Sequence, residues 1–468
     1  MTDKASRPEA CDLLVRNALV LTMDKDRTIY AKGAIAVRDG DILAVGRDGE
    51  FGPRFAAKET IDAKGAAVHP GFIDGHYHLT IHLARGTVPD DPAAKSPFSY
   101  GDWMNLVEEE DEHIQTQVTA IEMLRNGYTF FLEPGTVLWP DAAAAAAEGV
   151  GVRGSLADPY VWDVTDGGNA MAGKMPRSPC NREHALKILG GQLARNRNRR
   201  TLVRGHVAIY GSGSQSEELM RAAKECADGA GVVMTMHHNF TPEQAARDDA
   251  RFGGQHTMKT FAEKGLIGRC SSFVHMNCIR DDEMDPIVES GMSLVWQPGN
   301  YMFYGIASRT PSRMAELVAR GTTVAFGVDT AKVWTFGDLE LLGYLVARQA
   351  GRYISPAKIL EMRTCDAARA VGMESAIGAL APGMRADIVI RDASRPETAP
   401  GVNVVQELLL GGQAGTVDTV IVDGRVVLRG GKPQQVDGEA VVAKGREAAR
   451  RVLGRAGFTP TQSWPVVD

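Results

Sequence analysis

The chain has 468 residues, which is enough to bury a large hydrophobic core. Hydrophobic residues make up 44% of it and charged residues 24%, as in ordinary soluble globular proteins, and the net charge of -6 gives no reason to expect nucleic acid or a membrane as a partner. It has no run of about 18 apolar residues, no apolar leader segment, and too few cysteines for a disulfide framework, so we expect a cytoplasmic protein with reduced thiols.

Short predicted strands bracket the chain at both ends. Near the N-terminus, 31-AKGAIAVRDGDILAVG-46 alternates around Asp39-Gly40, a dipeptide typical of a hairpin turn. Near the C-terminus, 386-ADIVIRD-392 and 417-VDTVIVDGRVVLRGG-431 look alike, and the second contains another Asp-Gly turn. Both ends of the chain are therefore predicted to form small β structure.

The middle of the chain alternates apolar runs with helical patterns. Eight runs suit strands that are buried on both faces, which indicates a parallel sheet. These runs span residues 66–76, 128–135, 152–160, 202–211, 232–238, 271–277, 292–298 and 322–329. Helix candidates between them, several ending in glycine, lie at 115–127, 217–231, 256–265 and 312–321. Eight strand–helix units over about 300 residues predict an α/β fold, a (β/α)8 TIM barrel.

Polar side chains stand where these runs end, and the carboxyl ends of barrel strands are where active sites lie. The first run ends in His76 and His78, the fifth in two adjacent histidines, the sixth in His275 and the eighth in Asp329. Because side chains alternate along a strand, His76 and His78 face the same way and can hold one divalent ion together. A histidine of strand five and a carboxylate of strand eight complete a donor set that suits zinc, iron, cobalt or manganese.

Three segments resemble the amidohydrolase superfamily. The stretch 70-PGFIDGHYH-78 is similar to the signature of that family's first barrel strand. The segment 378-GALAPGMRADIVIRD-392 resembles its passage from barrel to sandwich, and 420-VIVDGRVVLRGG-431 resembles its closing strand pair. The resemblance covers essentially the whole chain, and within the superfamily it is strongest to the branch of cytosine and guanine deaminases and triazine chlorohydrolases.

The resemblance implies three segments and one metal ion. A metal-dependent barrel is expected at 67–378, flanked by a small β-sandwich that residues 1–66 and 379–468 build together, with a C-terminal tail. Members of this branch are mostly mononuclear, and binuclear members usually carry a carboxylated lysine at the end of strand four. The fourth run, 202-LVRGHVAIYG-211, has no lysine, so one divalent ion per chain is expected. Relatives are often dimers or tetramers, so we also expect a homo-oligomer.

Carried over by position, the resemblance gives a ligand set and a catalytic group beside it. The expected ligands are His76, His78, His237 and Asp329, with His275 next to them. Zinc is the expected ion, and iron, cobalt and manganese are alternatives. We prefer His237 to its neighbour His238 because it follows Val233 and Thr235 in the register that we take to face inward.

One departure from the family pattern bears on the substrate. Deaminases usually carry a glutamate three residues after the strand-five histidine, and it passes a proton to a ring nitrogen; here Phe240 or Thr241 stands at that place. An open-chain amide, urea or (thio)carbamate needs no ring protonation. We therefore expect a metal-dependent hydrolase of such a C–N bond, with a suspected likeness to phenylurea and molinate hydrolases. The alternative is a deaminase of a purine, pterin, pyrimidine or triazine.

The expected mechanism uses a metal-activated water to attack a small-molecule substrate. Asp329 takes a proton from the water and returns it to the leaving nitrogen, while His275 donates a hydrogen bond to the developing oxyanion. A long loop at 86–106 is a candidate wall or lid. Expected substrate contacts from this loop and from the strand ends are Asn277, His238, Trp103, Tyr301, Phe303 and His82, with Trp334 as a further aromatic candidate.

Overall fold

The computed structural model describes residues 7–91, 94–169, 171–409 and 413–467. The first five strands are β1 (Glu9–Leu21), β2 (Ile29–Arg38), β3 (Asp41–Arg47), β4 (Phe55–Asp62) and β5 (Ala67–Pro70). The next nine are β6 (Phe72–Asp74), β7 (Tyr128–Leu132), β8 (Arg153–Leu156), β9 (Val203–Gly205), β10 (Val207–Gly211), β11 (Met234–His238), β12 (Ser271–His275), β13 (Ser293–Trp296) and β14 (Thr323–Phe326). The last four are β15 (Ile388–Arg391), β16 (Val417–Val422), β17 (Arg425–Arg429) and β18 (Lys432–Pro433).

Helices fill most of the segments between the barrel strands. The α-helices are α1 (Asp48–Arg54), α2 (Tyr100–Leu106), α3 (Glu109–Arg125), α4 (Pro140–Val150), α5 (Arg182–Ile188), α6 (Glu217–Ala230), α7 (Pro242–Arg251), α8 (Thr257–Glu263), α9 (Met284–Ser290), α10 (Pro298–Phe303), α11 (Met314–Ala319), α12 (Leu339–Gln349), α13 (Pro356–Arg363), α14 (Cys365–Ala370), α15 (Val404–Glu407) and α16 (Gly438–Ala456). Short 3-10 helices span Leu79–Ala84, Gly191–Arg197, Asp281–Glu283, Ile306–Ser308, Phe336–Asp338, Pro396–Thr398 and Gln413–Thr416.

Helix α6 illustrates how local chemistry sets these boundaries. The Ser216 side chain accepts a hydrogen bond from the backbone N–H of Leu219, which satisfies an otherwise free donor of the first turn. At the other end Gly231 has φ 63°, a left-handed conformation that glycine adopts without strain. The predicted helix at 217–231 therefore ends at the glycine that its pattern indicated.

Strands β6 to β14 are parallel and form a barrel. They pair in the orders β6-β7-β8-β9 and β10-β11-β12-β13-β14. Strands β9 and β10 together occupy one strand position of the barrel, and only His206 separates them. The backbone N–H of His206 donates to Leu156 O at 3.0 Å. Around the closure, Asp329 N donates to His76 O and His78 N donates to Asp329 O, both at 2.9 Å. Each of the eight predicted runs supplies one strand position, so the TIM-barrel prediction is confirmed.

The two ends of the chain form one nine-stranded sheet beside the barrel. Its order is β18-β17-β16-β15-β5-β1-β2-β3, with β4 paired to β1. Apolar side chains cover both faces of its N-terminal part: Leu13, Val15 and Ile388 lie in one cluster, Leu14 and Phe51 in the other. The sandwich built from both termini is therefore present. Since β5 belongs to it, the first segment of the sheet extends past the expected boundary at residue 66.

The C-terminal segment that follows the sheet returns to the barrel. Arg451 and Arg455 of α16 donate hydrogen bonds to the buried carboxylate of Asp111 on α3. Residues 434–467 thus contain a helix packed on the barrel, where the sequence predicted only a tail. Among the described residues, no helix has both the length and the apolar character that crossing a membrane requires.

Candidate metal centre

Four side chains converge at the carboxyl ends of the barrel strands: His76, His78, His237 and Asp329. One potential ligand atom from each lies within 4.8 Å of all the others, and all four residues are buried. The Nε2 atom of His78 is 3.2 Å from that of His76 and 3.3 Å from that of His237. The Oδ1 atom of Asp329 is 3.2 Å from His76 Nε2 and 3.1 Å from His78 Nε2.

These separations fit one divalent ion. Bonds of about 2.0–2.1 Å in a tetrahedral site place neighbouring ligand atoms roughly 3.3 Å apart. Three imidazole nitrogens and a carboxylate oxygen form a donor set that suits zinc and the neighbouring transition metals. The ligand set expected from the sequence is thus brought together with the spacing that a mononuclear centre requires.

Two features of the backbone direct the ligand side chains towards the centre: the alternation of side chains along the first strand and a turn after the last strand. His76 and His78 face the centre, and the intervening Tyr77 points away, with its hydroxyl 2.6 Å from His82 Nδ1. The carboxylate of Asp74 accepts hydrogen bonds from the backbone N–H of His76 and of Val328, which joins the first strand to the last. Asp329 has φ 65°, in the left-handed region, so its side chain leaves the strand direction and enters the centre.

Hydrogen bonds at the far side of two rings fix their orientation. His78 Nδ1 lies 2.9 Å from the Thr136 hydroxyl oxygen, and His237 Nδ1 lies 2.7 Å from the Tyr210 carbonyl oxygen. Each contact places a proton on Nδ1 and leaves the Nε2 lone pair free for a metal ion. Within the described residues, His76 Nδ1 has no hydrogen-bond partner.

The protonation states match a metal site. Burial lowers the pKa of His76 and of His237 to about 3, so both rings are neutral near pH 7. Burial opposes ionisation of Asp329, but its close contacts with the rings of His76 and His78 outweigh that effect and hold the pKa of that carboxyl well below its usual range. Neutral imidazoles and an ionised carboxylate are the forms that bind a cation.

His275 lies beside the four-residue cluster and outside it. Its ring centroid is 5.5 Å from that of His237 and 6.2 Å from that of His76. Its backbone has φ 70°, and its N–H donates to Gln297 Oε1 at 2.9 Å. Burial lowers its pKa to about 3, so the ring is neutral and its N–H is available as a hydrogen-bond donor. Its catalytic role stays a prediction.

The adjacent histidine His238 faces the opposite side of β11. Its Nε2 lies 2.8 Å from the Thr257 hydroxyl, and its ring packs against Phe261 at 5.2 Å between centroids. Successive residues of a strand point to opposite faces, so only His237 reaches the centre. The preference for His237 agrees with this geometry, whereas the expected substrate contact by His238 is corrected: its ring packs between the barrel and α8.

Three other expected substrate contacts are used in packing. Trp103 donates from Nε1 to Thr80 O at 2.9 Å, and the Tyr301 hydroxyl donates to Thr310 O. His82 lies between Tyr77 and a carboxylate of α3. All three side chains are buried and held by neighbouring residues, so we withdraw them as substrate contacts.

Asn277 is committed to a neighbouring loop. Its amide Nδ2 donates to the Phe240 carbonyl oxygen at 3.1 Å, and its side chain is buried. The side chain therefore ties the end of strand six to the loop after strand five. A direct contact between Asn277 and substrate stays a prediction.

A group of aromatic side chains continues outward from His275, and we call it the aromatic rim. It consists of Tyr100, Phe240, Phe303, Tyr304 and Trp334. The ring of Phe240 packs at a tilt on His275, 4.4 Å between centroids, and meets the edge of Tyr304 at 5.3 Å, so the rim is continuous with the centre. Phe303 packs on both Tyr304 and Trp334.

Lys332 stands inside the rim, with its ammonium group between 5.1 and 5.5 Å from the centroids of Tyr100, Phe303, Tyr304 and Trp334. Sequence reasoning singled out Phe303 and Trp334 but missed Lys332, Phe240, Tyr304 and Tyr100. The available signal was the lysine that closely follows the Asp329 strand end.

The model of the amidohydrolase family matches residues 67–427, which is most of the chain. The chain belongs to the amidohydrolase family. It is a hydrolase that acts on carbon–nitrogen bonds other than peptide bonds, as the sequence analysis predicted.

Individual relatives of this amidohydrolase match it over nearly their whole length. It is 29% identical over 465 residues to the 5-methylthioadenosine/S-adenosylhomocysteine deaminase of Symbiobacterium thermophilum, covering 94% of this chain and 99% of that one. A zinc-bound adenosine deaminase from Xanthomonas campestris shares 23% identity with a TM-score of 0.82, covering 96% and 100%. A zinc-bound atrazine chlorohydrolase from Arthrobacter aurescens TC1 shares 20% identity with a TM-score of 0.82, covering 93% and 100%.

These relatives overturn the expected substrate class. The prediction of an open-chain amide, urea or carbamate was wrong, because the full-length relative is named as a deaminase of adenosine derivatives and a further deaminase shares the fold. The error came from one position. A phenylalanine at residue 240 shows that this residue supplies no proton, but it does not show that no other group near the centre can supply one.

Proposed function

We propose that this amidohydrolase is an aminohydrolase that releases ammonia from an adenine-type nucleoside. The observation that carries the proposal is the 29% identity to a methylthioadenosine and adenosylhomocysteine deaminase, which extends over 94% of this chain and 99% of that protein. A match of such length spans both the barrel and the sandwich. The reaction replaces the amino group of the base by a carbonyl oxygen.

The residues of the centre suit this reaction. His76, His78, His237 and Asp329 would hold a divalent ion, which would supply Lewis acidity and lower the pKa of a water molecule. Asp329 is ionised, so it can take a proton from the attacking water and later give it to the departing amine. The neutral ring of His275 can donate a hydrogen bond to the oxygen that adds to the base.

The aromatic rim suits a flat heterocycle. Planar π faces of Phe240 and Tyr304 offer stacking surfaces for a purine, and stacking of this kind contributes about 0.5–1.5 kcal/mol for each ring pair. The rim leads onto His275 through Phe240, 4.4 Å away. A base held in the rim would present its edge to His275 and Asp329.

A substrate panel tests the proposal. Metal-loaded protein is offered adenosine, 5'-methylthioadenosine, 5'-deoxyadenosine and S-adenosylhomocysteine, together with guanine, cytosine and an N-aryl urea, and released ammonia is measured. We expect ammonia from at least one adenine nucleoside and no arylamine from the urea. Asp329→Asn is the negative control, expected to be inactive. Arylamine release without any ammonia from the nucleosides would contradict the proposal.

Other attributes accompany this proposal as predictions. We propose zinc as the ion, with one equivalent per chain, since the donor set and the zinc-bound structural relatives support that choice. A dimer or tetramer and a cytoplasmic location are retained from the sequence analysis as predictions. The suspected likeness to phenylurea and molinate hydrolases carries no part of the proposal.

A further inference from the structure

Deamination of a purine requires a proton donor that the ligand set does not provide. As an oxygen adds to the carbon bearing the amino group, the adjacent ring nitrogen gains negative charge and needs a proton. Phe240 occupies the place where the family's glutamate is expected, and its ring packs on His275 at 4.4 Å. Another acidic group near the rim is therefore needed to donate this proton to the ring nitrogen of a substrate held there.

Lys332 places a cation at this rim. Its Nζ donates to Asn300 Oδ1 at 2.8 Å and lies 5.1 Å from the ring centroid of Tyr304, which in turn packs on Phe240. Within the described part of the chain this is the one hydrogen bond of the Lys332 ammonium, so two of its three protons can be donated to a substrate. The chain from His275 through Phe240 and Tyr304 to Lys332 thus runs from the centre to a free N–H donor.

Other titratable groups around the rim are weaker acids or are already engaged. Burial raises the pKa of Tyr100 to about 12, and the pKa of Tyr304 is raised further above its usual value for the same reason. His275 is neutral and Asp329 belongs to the ligand set. By contrast, burial lowers the pKa of Lys332 to about 8, against the opposing effect of the Asp329 charge, so its ammonium form is a usable acid near neutral pH.

On the basis of the proposed function, we propose that the Lys332 ammonium is the catalytic acid that protonates the ring nitrogen next to the reacting carbon. One N–H bond of Lys332 breaks as a ring N–H bond forms. A water molecule loses one proton to Asp329 while its oxygen adds to the carbon. Asp329 then gives that proton to the amino group, which leaves as ammonia. The remaining hydroxyl proton returns to Lys332, so the carbonyl product forms and both residues recover their starting states.

The decisive variants separate proton donation from charge and packing. Lys332→Met removes the acid and keeps the length of the side chain, whereas Lys332→Arg keeps the charge on a group too weakly acidic to donate. We expect each to retain its metal and to lose about 100-fold or more in kcat, with Lys332→Arg keeping a KM close to that of the wild type. Lys25→Met, at an exposed surface site, is the matched control and should match the wild type.

A pH profile and chemical rescue identify the role further. Since the protonated lysine is the active form, kcat/KM should fall as pH rises through about 8 in the wild type, and this limb should move to higher pH in Lys332→Arg. In Lys332→Ala, added ethylamine should restore part of kcat in proportion to its ammonium form. A purely structural lysine would show neither the moved limb nor the rescue.

The outcomes distinguish this inference from the proposed function. If the wild type releases ammonia from an adenine nucleoside but Lys332→Met keeps kcat within about threefold, the role of Lys332 is wrong and the proposed function stands. A large loss in Lys332→Met that ethylamine does not rescue in Lys332→Ala, with an unmoved limb in Lys332→Arg, also overturns the role. A wild type that deaminates no heterocycle overturns both.

Discussion

The imidazole of His78 donates its Nδ1 proton to the hydroxyl oxygen of Thr136, 2.9 Å away, because the Thr136 hydroxyl proton is itself donated to Glu133. The direction of this chain of hydrogen bonds is fixed at its far end, where an acceptor carboxylate also receives the backbone N–H groups of Gly135 and Thr136. The Nε2 lone pair of His78 is thereby held ready for a metal ion. Such supporting contacts change metal affinity by about 10- to 100-fold.

Replacing Thr136 by valine should weaken metal binding without unfolding the barrel. Thr136→Val keeps the shape of the side chain but removes the acceptor for His78 Nδ1, so we expect metal affinity to fall by about 10- to 100-fold. Competition with a chelator measures the change. Thr136→Ser keeps the hydroxyl and is the matched control, with affinity close to that of the wild type. Equal affinity in all three proteins would show that the Thr136 contact does not support the metal site.

The two adjacent histidines of β11 should respond oppositely to truncation. His237→Ala removes a ligand, so purified protein should contain much less than one metal equivalent per chain and have no measurable turnover. His238→Ala should keep its metal but lose about 1–3 kcal/mol of stability, because it leaves Thr257 without its partner and opens a space beside Phe261. Metal analysis together with thermal unfolding distinguishes them, and metal loss only in His238→Ala would reverse the assignment.

The barrel and the four converging residues could be predicted from the sequence, and the reason is physical. A strand buried on both faces is apolar along its length, so its polar end is visible, as at His76, His78 and Asp329. Parallel strands bring those ends to one rim without any further information. The sequence did not indicate that β5 belongs to the sheet, because residues 67–70 continue directly into the first barrel strand.

Lys332 and the residues of the aromatic rim could not be predicted from the sequence in the same way. Lys332, Phe240 and Tyr304 lie in loops or at a helix end, whose paths depend on contacts far apart in the chain. The return of α16 to α3 depends on one such contact, between Arg451 and Asp111. Substrate class depends on these loops, and for that reason an argument from one missing glutamate led to the wrong substrate.

A buried carboxyl on α3 should make stability depend on pH. Burial raises the pKa of Glu112 to about 8, so in the folded protein this group is neutral at pH 7, whereas its usual value is 4.5. The folded state therefore holds a proton that the unfolded state has lost. The contribution of Glu112 to the free energy of unfolding thus falls as pH rises from about 4.5 to about 8, by at most about 1.4 kcal/mol for each pH unit. Glu112→Gln, which stays neutral, should show a flatter decline in unfolding free energy between pH 5 and about 8; an unchanged slope would contradict the assignment.

The barrel and the sandwich should be coupled by one buried ion pair. Arg153 of β8 reaches Asp387 through two hydrogen bonds of 2.9 and 3.0 Å and also contacts Asp423 at 3.1 Å. Arg153 and Asp387 are 2% and 4% exposed, so removing one partner leaves a buried charge uncompensated.

We expect Arg153→Met to lower the free energy of unfolding by about 3–5 kcal/mol. The double variant Arg153→Met/Asp387→Leu, in which apolar groups replace both charges of that pair, should recover much of the loss. The control is Arg38→Met, which breaks an exposed pair with Glu9 and should cost less than about 1 kcal/mol. Urea unfolding measures all three, and a double variant no more stable than Arg153→Met would show that the loss comes from packing of the arginine side chain and not from a stranded aspartate.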